Sequence, residues 1–474
     1  MFGSKRLHDG ETYLVEAVGQ LVYPVGIVVV RDDRQRISEK LFHASMKVLL
    51  SILIKTSRSG EQINFLSSRL LGFLHYLCCM KREIIIWILP ILCLLSSLCH
   101  AQPNRIVCGD ERMDIYFPLL QGRRIALFTN HTACIEGIHL LDVLRQHQVD
   151  VRLVFAPEHG FRGNADAGQL LADDTDAATG LPVRSLYGGA AGSRPLPQDM
   201  QRFDVLLVDI QDVGCRFYTY HITLCALMEA CSRAGKEVVL LDRPNPNGHY
   251  VDGPLLDTAR YTSAVGRLPI PVVHGLTLGE LARMAVGEGW IEGAHDCHLT
   301  VVPCLNYTHS TYVELPIPPS PNLPDAKSIA LYPSTCYFEA TPVSVGRGTD
   351  RPFQLYGHPD MKRDSSTYSF VPRSRTGAKR PPQMDKVCYG TDLGNLPIEE
   401  IRSRGINLAY LIDAYRRMGC RADFFSPFFE RLIGVDYVRT MITEGREAAE
   451  IEAVWRGDVA RFKEQRRLYL LYPE

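Results

Sequence analysis

The 474-residue chain has no charge surplus: 52 basic side chains stand against 53 acidic ones, a formal net charge of -1. Without excess Lys and Arg it has no overall means of neutralising a phosphate backbone, which removes nucleic acid as a whole-chain partner. Nucleotide fingerprints are also missing. No Gly-x-x-x-x-Gly-Lys-Ser/Thr occurs, and no Gly-x-Gly-x-x-Gly follows the first strand-like run. The absence of a Gly-x-Ser-x-Gly elbow argues against an α/β-hydrolase. His159 lies beside Glu158, but no His-Glu-x-x-His is present, so metal binding is confined to an alternative in which Glu158, His159 and Asp209 share an ion. The 14 cysteines include no paired Cys-x-x-Cys motifs, so no structural zinc site is expected. Cys215, Cys225 and Cys231 lie in or beside apolar runs, where a free thiol behaves as a small hydrophobe, and one or two disulfides stay open elsewhere.

What is present is ordinary globular material, 46% hydrophobic and 22% charged. That mix excludes a disordered, collagenous or coiled-coil chain, and the length suits two or three domains, or one large domain with a smaller companion. Residues 80–101 read MKREIIIWILPILCLLSSLCHA. Lys81 and Arg82, the apolar stretch from Ile84 to Leu98 and the final Cys99-His100-Ala101 have the layout of a secretory signal peptide cleaved after Ala101. The apolar stretch is short for a spanning helix, and bulky Leu98 before Cys99 fits lipidation poorly. Residues 1–79 are read as a spurious N-terminal extension of the gene start, with an N-terminal extension anchored at 84–98 as the alternative. The working chain is then 102–474, exported to the periplasm or cell envelope, with no membrane span of its own.

Four segments repeat one pattern, a short apolar run followed by a polar cluster and then a helical stretch. Arg124 to Phe128 leads to Thr129-Asn130-His131-Thr132, and Val149 to Ala156 leads to Pro157-Glu158-His159-Gly160. Phe203 to Val208 leads to Asp209-Ile210-Gln211-Asp212, and Glu237 to Leu241 leads to Asp242-Arg243-Pro244-Asn245-Pro246. Continuous Val- and Leu-rich runs suit strands buried on both faces of a parallel sheet, with 137–147 and 219–234 as crossover helices. The expected fold is α/β: a Rossmann-like parallel-sheet domain over 102–325 and a smaller α+β auxiliary domain over 326–474. Ligands of such sheets bind beyond the carboxyl ends of the strands, where Asn130, Glu158, Asp209, Asp212 and Asp242 all fall. Each alone reads as a helix cap or turn former; four successive strands ending this way point to a site.

Further along, Thr277 to Glu280 has capping-box spacing for a helix ending near Gly287, and Leu299 to Val302 reads as a strand. The proline-rich stretch 316–324 is expected to be extended, an ordered crossing between domains. A Pro/Arg/Lys-rich loop covers 371–386. Helices are expected at 406–418, 435–444 and 447–468, the last with Ile451, Val454, Trp455 and Phe462 on one stripe.

The strand-end inventory of carboxylates and amides, joined by Arg216, Tyr218 and Tyr220 soon after Asp212, suits a polyhydroxylated ligand with an acidic group. Glycoside cleavage needs two carboxyls, or one carboxyl and another group, across the scissile bond. Glu158 is the acid candidate, since burial between Pro157 and a cleft wall raises a carboxyl pKa. A metal-dependent esterase or amidase, which the resemblance given below would direct to cell-wall material, and a non-catalytic sugar-binding protein are the alternatives.

At these motifs the chain resembles the exo-β-N-acetylmuramidases of the NamZ type, long known only as a domain of unknown function. The stretches are FTNHTA (128–133), APEHGFRGNADAG (156–168), TGLPVRSLYG (179–188), DIQDVGCRFYTY (209–220), LDRPNPNG (241–248), HGLTLGELA (274–282), PPSPNLP (318–324), YPSTCYFEATPVSVGRGTDRPF (332–353) and RRLYLLY (466–472). The resemblance implies an exported or wall-associated enzyme that releases N-acetylmuramic acid from non-reducing ends of peptidoglycan fragments. It also implies an active cleft between a Rossmann-like and an auxiliary domain, and no metal or organic cofactor. Glu158, in Pro-Glu-His-Gly, is then the catalytic residue, with Glu339, Asp209 or Asp212 as partner; Glu339 has a contact between domains as its other reading. Arg347, Arg216 or Arg162 is the candidate to meet the lactyl carboxylate of muramic acid, while Asn130, His159, Tyr218, Tyr220, Asp242, Arg243, Asn245 and Asn322 complete the expected substrate contacts. The chain departs from the family at Ala340, where Gly is usual, and over 304–315, where a Trp-containing segment is usual.

Overall fold

Apolar residues alternate between two hydrophobic clusters along the strands of a seven-stranded sheet, so both its faces are buried. In chain order the strands are β1 (Arg124–Thr129), β2 (Asp150–Ala156), β3 (Asp174–Thr175), β4 (Pro182–Ser185), β5 (Val205–Asp209), β6 (Glu237–Leu241) and β7 (His298–Val302). On β1, β5 and β6 one cluster takes Ala126, Phe128, Leu206, Val208, Val238 and Leu240, and the other takes Ile125, Leu127, Val205, Leu207, Val239 and Leu241. The spatial order is β7-β6-β5-β1-β2-β4-β3, parallel throughout except for β3, which runs antiparallel to β4 at the edge. The register between β1 and β2 shifts by one, Ile125 facing Val151 and Ala126 facing Leu153. Arg152 is pushed to solvent there, and the hydrophobic sequence stays in phase on both sides of the bulge.

The computed structural model describes residues 105–158, 160–161, 172–186 and 194–474, together with the backbone of a small antiparallel sheet of Phe2–Arg6, Tyr13–Ala17 and Gly26–Val29. Residues 80–101, His159 and Arg162, with the readings placed on them, lie outside the described residues. Pro103–Glu474 forms one compact unit and Met1–Gln102 another. Among the described residues no helix is long and apolar enough to cross a membrane.

Helix α1 (Met113–Leu120) precedes β1, α2 (Leu140–Gln146) joins β1 to β2, α3 (Tyr220–Arg233) joins β5 to β6, and α4 (Leu278–Gly287) precedes β7. The first crossover helix is shorter than the spacing predicts, because Ile138 and His139 pair with Cys134 and Ile135 in a small hairpin before α2 begins. The capping box at α4 forms: Thr277 Oγ1 accepts the Glu280 N–H at 3.2 Å, and the Glu280 carboxylate accepts the Thr277 N–H at 2.8 Å. The proline-rich crossing is not extended throughout. It turns back between Ser320 and Leu323, where the Leu323 N–H reaches the Ser320 carbonyl at 2.9 Å.

Helix α5 (Ala326–Thr335), which the sequence did not signal because Pro333 lies inside it, leads into the second half. That half has a three-stranded antiparallel sheet, β8 (Leu355–His358), β9 (Tyr368–Phe370) and β10 (Cys388–Asp392), with β10 central. Helices α6 (Ala409–Arg417), α7 (Tyr437–Thr443) and α8 (Ala448–Arg466) follow, each a few residues shorter than its predicted span. On α8 the buried stripe is Ile451, Trp455, Val459 and Phe462, whereas Val454 is 50% exposed. Its position three residues after Ile451 puts it on the opposite flank from the i+4 row that packs inward.

Candidate active site

A cavity of about 950 Å³ lies beyond the carboxyl end of β2. Its wall comes from Glu158 two residues past that strand, the segment 217–220 that enters α3, the 320–323 turn, the chain from Cys336 to Phe353 and the loop 377–382. A hollow of this size takes a sugar of one or two units. Both halves of the fold contribute to it.

Glu158 is half-buried, and the Thr219 hydroxyl donates to its Oε2 at 3.0 Å. The second carboxylate on the wall is Glu339, in a 3-10 turn (Cys336–Ala340) that caps α5. Arg347 donates from Nε to Glu339 Oε1 at 2.6 Å, its Nη2 lies in ion-pair contact with the same oxygen at 2.5 Å, and its guanidinium lies 5.1 Å over the Phe353 ring. Gly346 and Gly348, at φ +77° and +80°, bracket Arg347. A Cβ on Gly348 would strike the Arg373 carbonyl oxygen, and one on Gly346 would come within 2.9 Å of the Arg351 carbonyl. The two glycines therefore let the chain double back tightly enough to present the guanidinium inward.

Tyr218 and Tyr220 line the cavity, their rings edge-to-face at 4.6 Å and their hydroxyls directed at the Pro319 carbonyl, 2.9 Å and 3.4 Å away. Asn322 also lines it and ties the floor to the covering loop through a 2.8 Å bond to the Gly377 carbonyl. The rim carries Lys379 and Arg380, both exposed. Acidic and basic groups thus face one hollow, an arrangement for a polar ligand with an anionic substituent.

The remaining described candidates are not on the cavity wall, and all of them are buried in the fold. Asp209 is fully buried, its two oxygens held by Arg243 at 2.5 Å and 3.0 Å, and Arg243 also grips Asp110 at 2.5 Å. With both oxygens taken, Asp209 is neither a second catalytic group nor a metal ligand beside Glu158. Asp242 accepts from Thr277, Tyr472 and the Gly279 N–H, holding α4 and the C-terminus to the end of β6. Asn245 bridges the Leu276 carbonyl and the Asn247 N–H. Arg216 is wholly buried and donates to the carbonyls of Pro254, Ile270, Leu432 and Ile433, so it cannot meet a substrate carboxylate. Asp212 bonds the Gly214 N–H of its own turn at 2.7 Å, and burial pushes its pKa from 3.8 up to about 7. Asn130, also fully buried, acts at one remove by donating to the Tyr220 hydroxyl at 3.0 Å.

Three wall elements escape the sequence reading. Thr219 carried a weak signal, standing between two tyrosines already singled out. The loop 377–382 falls inside the Pro/Arg/Lys-rich stretch, whose composition marks it as a loop but not as a roof. Phe353 has φ +61°, a conformation unusual for a bulky residue, and nothing in the sequence announces it. Among the described residues one group has metal-ligand spacing, Cys108, Asp110 and Glu111. None of the three lines the cavity, and Asp110 and Glu111 are already paired with Arg243 and Arg105.

Known proteins match this arrangement over both halves. The N-terminal profile of exo-beta-N-acetylmuramidase NamZ matches residues 125–327 and the C-terminal profile matches 330–472. The chain belongs to the NamZ family. The peptidoglycan beta-N-acetylmuramidase NamZ of Bacillus subtilis is 34% identical over 381 residues, 77% of this chain and 90% of that protein. A crystallised DUF1343 family protein from Bacteroides fragilis is 54% identical, with a TM-score of 0.73 over 78% of this chain and all of that one. A second from the same organism is 28% identical, with a TM-score of 0.65 over 78% of this chain and 99% of its own. The α/β architecture and the smaller second half are thus those of the NamZ family.

Proposed function

We infer that the chain is a glycoside hydrolase that releases N-acetylmuramic acid from the non-reducing ends of peptidoglycan fragments. The observation that carries this reading is the meeting of Glu158, Glu339 and Arg347 around one sugar-sized cavity in a NamZ-family chain. Glu158 is the general acid: the Thr219 hydroxyl holds one oxygen, and the proton goes to the leaving glycosidic oxygen as the bond to the anomeric carbon breaks. Glu339, ion-paired with Arg347, supplies negative charge to the oxocarbenium-like transition state. Arg347 gives its Nε–H to Glu339 and is ion-paired with it, and its other donors suit the lactyl carboxylate that sets muramic acid apart from glucosamine. Tyr218 and Tyr220 line the hollow where the sugar ring would lie, fixed in place by their hydroxyl bonds to Pro319.

Residues 80–101 act in this reading as an export signal that delivers the enzyme to the cell envelope, where its substrate lies; the support is the charged, apolar and small-residue order of that stretch. The purified chain is expected to free muramic acid from a chromogenic N-acetylmuramoyl glycoside, to leave the N-acetylglucosaminyl analogue largely intact, and to keep its rate in chelator. Turnover that stops in chelator, or binding of muramoyl sugars without turnover, would contradict it.

A further inference from the structure

The N-terminal segment that carries Asp110 runs antiparallel to the chain leaving β7. Val107 and Leu305 exchange both backbone hydrogen bonds, at 3.1 Å and 2.8 Å. The bridge is an isolated one, and the residues next to it, Cys108 and Cys304, stand across the same two segments, with their side chains close enough to interact directly. Opposed residues of antiparallel segments have Cα atoms about 4.5–5.5 Å apart, within the roughly 4.4–6.8 Å that a disulfide requires. A third group fixes where the Cys304 sulfur lies. The Asp242 carbonyl accepts both the Gly109 N–H, at 2.9 Å, and the Cys304 thiol, at 3.2 Å. Cys304 Sγ therefore sits against the peptide that follows Cys108. The adjacent Cys108 thiol and burial together push the Cys304 thiol well up. Both cysteines are free in this structure, Cys304 buried and Cys108 partly open to solvent.

We propose that Cys108 and Cys304 form a redox pair that closes to a disulfide, fastening the N-terminal segment to the chain leaving β7. The oxidant is a small or protein-borne disulfide. The Cys108 thiolate, the accessible one, attacks a sulfur of the oxidant and expels one thiolate, leaving a mixed disulfide. Cys304 then gives up its proton to that thiolate and attacks the Cys108 sulfur, releasing the second thiol. Two protein thiols are oxidised and one external disulfide is reduced to two thiols. Because Cys304 holds its proton tightly, the second step is the slow one, and the mixed disulfide accumulates before ring closure. The closed loop spans roughly 200 residues, the regime in which a cross-link restricts the unfolded chain most. It anchors the segment bearing Asp110, hence the Asp110–Arg243–Asp209 charge cluster beneath the strand ends.

The test uses the full chain equilibrated in glutathione buffers of graded redox poise, then alkylated, digested and mapped by mass spectrometry. A linked peptide joining Cys108 to Cys304 is expected at an oxidising glutathione poise, preceded by a glutathione adduct on Cys108. Oxidised protein should melt about 5 °C or more above reduced protein, and this difference should vanish in Cys108→Ala and Cys304→Ala. If both cysteines stay alkylatable at that poise, pair with other cysteines, or are protected only when zinc is added, the proposal is wrong. Should either variant fail to fold, the peptide map of the unaltered chain still decides.

Discussion

Arg216 gathers carbonyls from Pro254, Ile270, Leu432 and Ile433, so one side chain ties the segment ahead of α3 to the second half of the fold. Burial lowers its pKa to about 10, yet it stays charged at neutral pH. Arg216→Met leaves those carbonyls without their donor, and a loss on the order of 3 kcal/mol or more is expected in denaturant unfolding. A variant as stable as the parent would contradict the framework role. Asp212 makes a pH prediction. Its folded-state pKa is raised from 3.8 to about 7, so the folded chain holds that proton more tightly than the unfolded one. The resulting contribution to stability is complete below about pH 4 and is lost as pH rises through about 7. In Asp212→Asn this dependence disappears, so the melting temperature of the variant relative to wild type should climb between pH 5 and pH 8. A constant difference across that range would mean that Asp212 stays ionised throughout.

At the scale of elements, the strands of the parallel sheet were legible because their signal is local: runs such as FDVLLV and EVVLL are apolar at every position, as burial on both faces requires. Helix ends were less legible. The hairpin of Cys134–Ile135 with Ile138–His139 takes residues that the spacing assigned to α2, and Val454 has the right chemistry on the wrong flank of α8. The Gly346-Arg347-Gly348 turn sits between these cases. Its glycines announced a turn, but only the fold shows what the turn presents. Gly348→Ala forces a side chain into a φ of +80° and against the Arg373 carbonyl. It is expected to raise KM for a muramoyl glycoside about tenfold, with a melting temperature lowered by only a few degrees. An unchanged KM would separate Arg347 from substrate recognition.

For the whole molecule, the site is an assembly of distant segments. Glu158 and Thr219 are brought together by β2 and the entry to α3, Glu339 and Arg347 by one 3-10 turn and one glycine turn, and the loop 377–382 covers them from a third region. Strand-end reasoning reached Glu158 because that position follows directly from parallel-sheet topology. It overreached at Asp209, Asp242 and Arg243, which occupy equivalent strand ends but are spent on internal ion pairs and caps. Nothing in a linear sequence separates a carboxylate that faces a cavity from one that an arginine 34 residues away has already claimed. The central claim is that Glu158 gives the proton that frees the leaving group. Glu158→Gln keeps the shape and the Thr219 contact but has no acidic proton to give. On an N-acetylmuramoyl glycoside with a poor, unactivated leaving group its kcat should fall at least ~100-fold; a kcat within a few-fold of the parent would contradict the account.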